Sequence, residues 1–253
     1  MKRLAKPPQR RQENDPEVPG ALRRQSKPFS RREAALFFKR LKRRNADPKT
    51  ELVYANPFTL LVAVVLSAQA TDKGVNSATD RLFKRAQTPQ QMLQLGEDSL
   101  ISYIKSIGLY RTKARNILAL SRALIDRHDG NVPDSREALE SLPGVGRKTA
   151  NVVLNEAFGE PTIAVDTHVF RVANRTGLAP GNTPLAVESN LLSVVPQAYL
   201  HGAHHWLILH GRYVCVARQP KCPDCVVHDL CRYPMKTEAH PRPSLRAAKR
   251  QRL

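Results

Sequence analysis

Three groups of residues in this chain could do chemistry. The first is Lys148, inside the stretch Leu142-Pro143-Gly144-Val145-Gly146-Arg147-Lys148-Thr149-Ala150. An amine can attack an electrophilic carbon once it has lost its proton. The second is Asp166, eighteen positions later. Its carboxylate could take a proton or balance positive charge developing on a substrate. The third is the loop Cys215-x6-Cys222-x2-Cys225-x5-Cys231, which holds all four cysteines of the chain. Clustered thiols without a secretory context point to a metal centre rather than to disulfides. Zinc accepts four thiolates, usually as two Cys-x-x-Cys pairs, and here there is one such pair. An iron–sulfur cubane also takes four and tolerates uneven gaps, so the spacing leans towards it without excluding zinc. Either centre, with four thiolates and no open position, would be structural or electron-transferring rather than hydrolytic.

The elements that must position these residues read as helices. Asp134 and Glu137 form a capping box for a helix running to Leu142, which Pro143 ends. Gly144 and Gly146 permit backbone angles that other residues resist. From Arg147, Ala150, Val153, Leu154 and Ala157 recur at helical spacing, with Gly159 as the stop. A glycine turn opening into a helix N-terminus offers free N–H groups to a phosphate. An ordinary packing joint is the alternative.

Elsewhere Ser30 and Glu33 make a capping box for a helix with Leu36, Phe37 and Leu41 on one face. Asn56-Pro57 opens an almost wholly apolar helix from Phe58 to about Ala70, which reads as a buried central element. Further helices are expected over Thr71–Phe83, from Thr88-Pro89 through Leu95, from Leu100 to Gly108, and over Thr112–His128. Beyond the turn come Thr167–Thr176 with Asp166 as its cap, Thr183-Pro184 through Val195, and Tyr199–Tyr213. The histidines at 201, 204, 205 and 210 read as core or surface groups, not ligands. No stretch alternates as a strand, so the fold class is all-α, with roughly ten helices.

The net charge of +19 is unevenly spread. Residues 1–50 hold 16 Lys/Arg against 5 Asp/Glu, residues 232–253 hold 7 against 1, and the middle holds 18 against 16. A nearly neutral globule therefore carries two basic arms, of the kind that bind nucleic acid without sequence preference. Residues 1–28 are Pro-rich, aperiodic and expected to be disordered; residues 237–253 form the basic tail. There is no apolar signal core, and Glu13, Asp15 and Glu17 argue against an organelle transit peptide. The longest apolar run, Leu60 to Leu66, is far short of the ~20 residues that span a bilayer. The chain is expected to be soluble and intracellular, cytoplasmic and nucleoid-associated if bacterial, with no membrane partner.

Four motifs in order resemble one family. Leu66-Ser67-Ala68-Gln69-Ala70-Thr71-Asp72, the glycine stretch extended to Asn151, Val165-Asp166-Thr167-His168-Val169-Phe170-Arg171, and the cysteine loop are similar to endonuclease III, the helix-hairpin-helix DNA glycosylases with AP-lyase activity. The resemblance covers about residues 30–235. It implies two lobes with a DNA cleft between them. Residues 50–162 would form a six-helix barrel carrying the hairpin; 29–49 and 163–236 would form a discontinuous cluster lobe. It implies a [4Fe-4S] cluster on Cys215, Cys222, Cys225 and Cys231, Lys148 as nucleophile and Asp166 as its carboxylate partner. DNA contacts are implied at Gln69, which would enter the gap left by a flipped base, at Leu109 as a wedge, and at Gly144, Val145, Gly146, Arg147 and His168. The implied partner is double-stranded DNA containing damaged pyrimidines or abasic sites, met by a monomer. Lys148 would have to act as a neutral amine although free lysine has a pKa of about 10.4. Desolvation in the cleft, the positive end of the helix and adjacent Arg147 should all favour that form. The alternatives are a monofunctional mismatch- or adenine-specific relative and a non-enzymatic DNA-binding protein with a structural metal. Adenine-specific relatives place a glutamate in the early helix, and none occurs between 56 and 71.

Overall fold

A computed structural model describes residues 28–238. The expectations for residues 1–27 and 239–253 lie outside the described residues. Within them the chain forms eleven α-helices and one short 3-10 turn, with no strand. The helices are α1 (Arg31–Arg44), α2 (Pro57–Ser67), α3 (Asp72–Leu82), α4 (Pro89–Leu95), α5 (Glu97–Ile104), α6 (Tyr110–His128), α7 (Arg136–Glu140), α8 (Arg147–Phe158), α9 (Thr167–Thr176), α10 (Pro184–Val194) and α11 (Gln197–Tyr213); the 3-10 turn is Cys222–Asp224. No described helix is long and apolar enough to cross a membrane.

Most boundaries follow from caps written locally into the sequence. Ser30, Asn56, Thr71, Thr88, Asp166 and Thr183 each accept a backbone N–H of the following first turn, as short polar side chains do at a helix start. Five expectations need correction. The cap of α7 is Ser135, not Asp134, because its hydroxyl reaches the Ala138 N–H; the helix ends at Glu140. On α1 Leu36 is 40% exposed and Phe38 is buried beside Phe37, since the core lies one residue round the helix from the expected stripe. Helix α2 stops at Ser67, where Gln69 turns into a left-handed conformation at φ 56. Helix α5 stops at Ile104, and α6 starts two residues early at Tyr110, behind left-handed Leu109 at φ 59.

The buried side chains form two clusters. One runs from Leu52 to Leu154 and includes Leu60, Leu61, Leu66, Met92, Ile117 and Leu124, so α2 to α8 surround it. Helix α2 sits at its centre, buried from Phe58 through Leu66, as its all-round apolarity requires. The other cluster joins Phe37 and Phe38 of α1 to Val169 and Val172 of α9, Leu191 of α10 and Leu207 of α11. The chain crosses between them over Ile163 to Val165, where Ile163 and Val165 pack in the second and Ala164 packs in the first.

Polar struts connect the two clusters. Arg147 at the start of α8 forms two parallel hydrogen bonds to Glu188 of α10, at 3.0 and 2.8 Å. His205 of α11 lies 2.7 Å from Glu156 of α8, which also accepts the Tyr54 hydroxyl at 3.0 Å. Arg212 of α11 reaches Asp72 at the start of α3 and Glu51.

Candidate active site

The site forms where the second cluster meets the turn before α8. That turn is anchored by Leu142 and Val145, both buried in the first cluster. Val145 also donates its N–H to the Leu142 carbonyl at 3.1 Å, so neither its side chain nor its N–H faces outwards. Gly144 has φ 78, and a Cβ there would meet Asn116 of α6 at 2.8 Å. Glycine at 144 is thus demanded by the fold. Gly146 is different: its φ is −106 and a Cβ would have open space around it. The expectation that its backbone needs glycine is corrected, and nothing inside the protein explains the missing side chain. Gly146 caps α8 without a side-chain hydrogen bond, so the first N–H groups of α8 point outwards beside exposed Lys148.

A measurement separates the two glycines. Gly146→Ala should leave thermal stability within about 1 kcal/mol, because the Cβ meets nothing. It should weaken association with duplex DNA of any sequence if a phosphate approaches there. Gly144→Ala should lower the melting temperature, through positive φ and the Asn116 contact. Thermal melts together with binding titrations check both; unchanged duplex affinity for Gly146→Ala would leave the turn a packing joint.

Asp166 is delivered by an extended strap, Gly159 to Val165, between α8 and α9. Side chains hold the strap's carbonyls. Asn155 donates to Glu160 O at 2.9 Å and Thr162 O at 3.3 Å, and also to His201 O at 3.1 Å. Asn151 donates to Ile163 O at 3.4 Å, and His204 Nδ1 lies 3.0 Å from Ala164 O. A segment with no ladder of its own must find such partners when buried. Sequence reasoning missed these residues, although two asparagines four apart on an otherwise apolar helix face were a usable signal. Asp166 then caps α9 through Val169 N–H at 2.8 Å on one carboxylate oxygen.

Among the described residues Lys148 makes no ion pair within 4.0 Å, with Asp166 or any other carboxylate. Both lie close enough to His204 to act on its charge. Burial and neighbouring His205 push the His204 ring down to about 3, Asp166 opposes that shift, and Lys148 adds to it. Neutral His204 is therefore a buried neighbour that feels both groups. Two expected aids to Lys148 need correction. The amine is exposed, so the protein alone does not take it out of water. The Arg147 guanidinium is engaged by Glu188, 4% exposed, which offsets its positive charge.

Gln69 and Leu109 are exposed, Leu109 at 62%, and both are left-handed. Such backbone costs about 1–2 kcal/mol for a residue with a Cβ, so the surroundings must impose it. His168 is half-buried, with Nδ1 3.1 Å from Arg171 Nη2; burial lowers its affinity for a proton.

The four cysteines are unpaired and line one small pocket together with Arg175, His210 and Lys236. Burial pushes the Cys225 thiol up to about 11. Among the described residues no three His, Cys, Asp or Glu side chains converge tightly enough for one metal ion. Two buried arginines of α9, also missed from sequence, clamp the loop. Arg171 donates to Cys215 O at 3.0 Å and Gly211 O at 2.9 Å; Arg175 donates to Val216 O at 2.8 Å and Ala217 O at 2.6 Å. Arg175 Nε is buried without a hydrogen-bond partner among the described residues.

Comparison with known proteins places the chain in a family. The family model described as HhH-GPD superfamily base excision DNA repair protein matches residues 62–197. That span contains the turn, Lys148 and Asp166 and defines the class. Endonuclease III of Haemophilus influenzae is 61% identical over 199 residues, 79% of this chain and 94% of the relative. Endonuclease III of Escherichia coli K12 is 58% identical over the same length and shares. A solved non-covalent endonuclease III–DNA complex superposes with a TM-score of 0.76 at 46% identity, covering 81% of this chain and 96% of that one. A trapped endonuclease III–DNA covalent intermediate gives the same values. A thermostable thymine-DNA glycosylase gives 0.72 at 26% identity, covering 80% and 96%. The chain belongs to the endonuclease III family.

Proposed function

We propose that the chain is a bifunctional DNA glycosylase and AP lyase of base excision repair. It removes oxidised or ring-saturated pyrimidines from duplex DNA and then cuts the strand. The observation that carries this is Lys148, exposed at an uncapped helix start, free of any carboxylate within 4.0 Å among the described residues and, like Asp166, close enough to His204 to act on its charge. An ion pair would hold the amine protonated, and no such pair holds this one. The binding partner is duplex DNA with a damaged pyrimidine or abasic site. A base must leave the stack before its sugar can be attacked, at a cost of a few kcal/mol. Gln69 and Leu109 are presented to occupy the vacated stack. The bound duplex would supply the desolvation that the protein does not. The enzyme would act as a monomer inside the cell.

The neutral amine attacks C1′ of the deoxyribose, and the C1′–N bond breaks with its electron pair leaving on the base. The base takes up a proton, and the sugar–lysine adduct becomes an imine as the C1′–O4′ bond breaks and the ring oxygen takes up a proton. Asp166 accepts the amine proton and balances charge on the sugar. The imine acidifies C2′; loss of that proton expels the 3′ phosphate, and water releases Lys148. Incubation with an oxidised-pyrimidine duplex and borohydride should give a covalent protein–DNA adduct. Base release with no adduct would favour the monofunctional alternative.

The cysteine cavity fits a [4Fe-4S] cluster held by Cys215, Cys222, Cys225 and Cys231. Four thiols spread round one cavity, too far apart to converge on one ion, suit a multi-atom cluster better than zinc. Arg171 and Arg175 place buried positive charge against four thiolates. The cluster would tie Cys215, just after α11, to the loop running to Cys231 as a structural cross-link. As isolated, the protein should be brown with about four irons per chain; a colourless protein with one zinc would overturn the assignment. The division into a barrel lobe at 50–162 and a cluster lobe at 29–49 plus 163–236 is supported by the two buried clusters.

A further inference from the structure

Lys113 is a lysine that the chemistry above does not use. It lies in the first turns of α6, and the residue is 5% exposed. Its Nζ donates to Leu66 O at 2.9 Å and Ala68 O at 2.6 Å, the last carbonyls before Gln69. Its own N–H donates to Leu109 O at 3.0 Å. That last bond is the first backbone bond of α6, which any non-proline residue at 113 would make; the Lys113 side chain itself holds the carbonyls before Gln69. Among the described residues three non-glycines have positive φ: Gln69, Leu109 and Asp129, the C-cap of α6. The Lys113 ammonium reaches the turn into one of the two outside that cap, Gln69.

The chemistry suits the task. A helix ends with carbonyls that have no intrahelical partner, and the partial negative charge there favours a cation. An ammonium has three donors on a long stem, so it can satisfy two carbonyls from a neighbouring helix. No carboxylate lies within 4.0 Å of it among the described residues; carbonyl dipoles alone stabilise its charge. Burial disfavours the protonated form, which both hydrogen bonds oppose.

We propose that Lys113 is a positioning residue whose ammonium locks the Gln69 turn against the start of α6, so that Gln69 stands as a rigid prong beside Leu109 to enter the DNA stack. This rests on the reading of Gln69 and Leu109 as the groups that fill the stack. Without the ammonium the Gln69 turn would relax from its left-handed conformation, and the Gln69 and Leu109 prongs would no longer enter the duplex together. The chemistry at Lys148 would be untouched.

The test uses the full chain and Lys113→Met, which keeps the apolar stem and removes the donors. Single-turnover excision of an oxidised pyrimidine from duplex DNA should fall by about tenfold or more, the scale of a small misplacement of positioning groups. Borohydride trapping on a single-stranded abasic oligonucleotide, which has no stack to open, should stay within about threefold. In a Gln69→Ala background, Lys113→Met should cost less than about threefold more, because the loop then has no side chain to present. Excision within about threefold of the parent, equal loss on both substrates, or full multiplication with Gln69→Ala would each overturn the proposal. If Gln69→Ala and Leu109→Ala both leave duplex excision unchanged, the reading of the prongs fails, whatever Lys113→Met does. Should Lys113→Met not fold, Lys113→Gln, whose amide keeps one donor group, is judged by the same substrate ratio.

Discussion

Lys148→Ala is expected to abolish the covalent borohydride adduct and to lower base release and strand cleavage together by roughly 10³-fold or more. The effect should be confined to chemistry. Lys148 is exposed, has no ion-pair partner among the described residues, and sits in the first turn of α8. Alanine is the best helix former, so stability should change by less than about 0.5 kcal/mol. Duplex affinity should fall only by the contribution of one exposed charge and should keep its salt dependence nearly intact. Single-turnover assays, trapping gels and thermal melts on the same preparation check this. A Lys148→Ala protein that still traps and still cuts would take the nucleophile away from Lys148 and send the search to another amine.

Asp166→Asn should cost about 10²–10³ in turnover while leaving fold and DNA binding in place. The substitution is informative because Asp166 has two separable jobs. One oxygen caps α9 through Val169 N–H. Asparagine caps a helix as well as aspartate, so that bond survives. What disappears is the negative charge and the capacity to take a proton. The same carboxylate favours the protonated form of buried His204, which Lys148 opposes; without it His204 is held still more firmly neutral. Duplex binding should tighten slightly, since one negative charge leaves a phosphate-facing surface. Full activity in Asp166→Asn would reduce Asp166 to a helix cap. Loss of activity with an unchanged melt separates the chemical role from the structural one. Asp166→Ala cannot make that distinction, because it also removes the cap, at about 1 kcal/mol.

Much of the site was readable from the chain because the signals are local. The Ser30 and Asn56 caps, the Asp166 cap of α9 and the glycine turn depend on residues within four positions of one another. The expectation that four cysteines share one centre rests on a span of only seventeen residues. The misreadings are of a different kind. Leu36 and Phe38 both fit a helical stripe, and only the position of Tyr199 and Trp206 against α1 decides that Phe38 goes inside. Asp134 and Ser135 are both good caps, and one residue of register decides between them. Gly144 and Gly146 look alike in the sequence, yet Asn116 presses on one and nothing presses on the other.

By itself the sequence determined that the protein is helical, that an amine follows a glycine turn, that a carboxylate opens a later helix, and that the basic charge lies in the arms. These follow from cap chemistry, periodicity and composition, which act over one or two helical turns. Only the tertiary structure decided what those groups meet. It paired Arg147 with Glu188, left Lys148 without an ion-pair partner among the described residues, and ran the strap to Asp166 past Asn151, Asn155 and His204. It also buried Lys113, Arg171 and Arg175, which in the sequence look like solvated charges. The reason is physical. A polar side chain goes inside only where a backbone from elsewhere in the chain offers unpaired carbonyls, and that offer exists only once distant helices have packed.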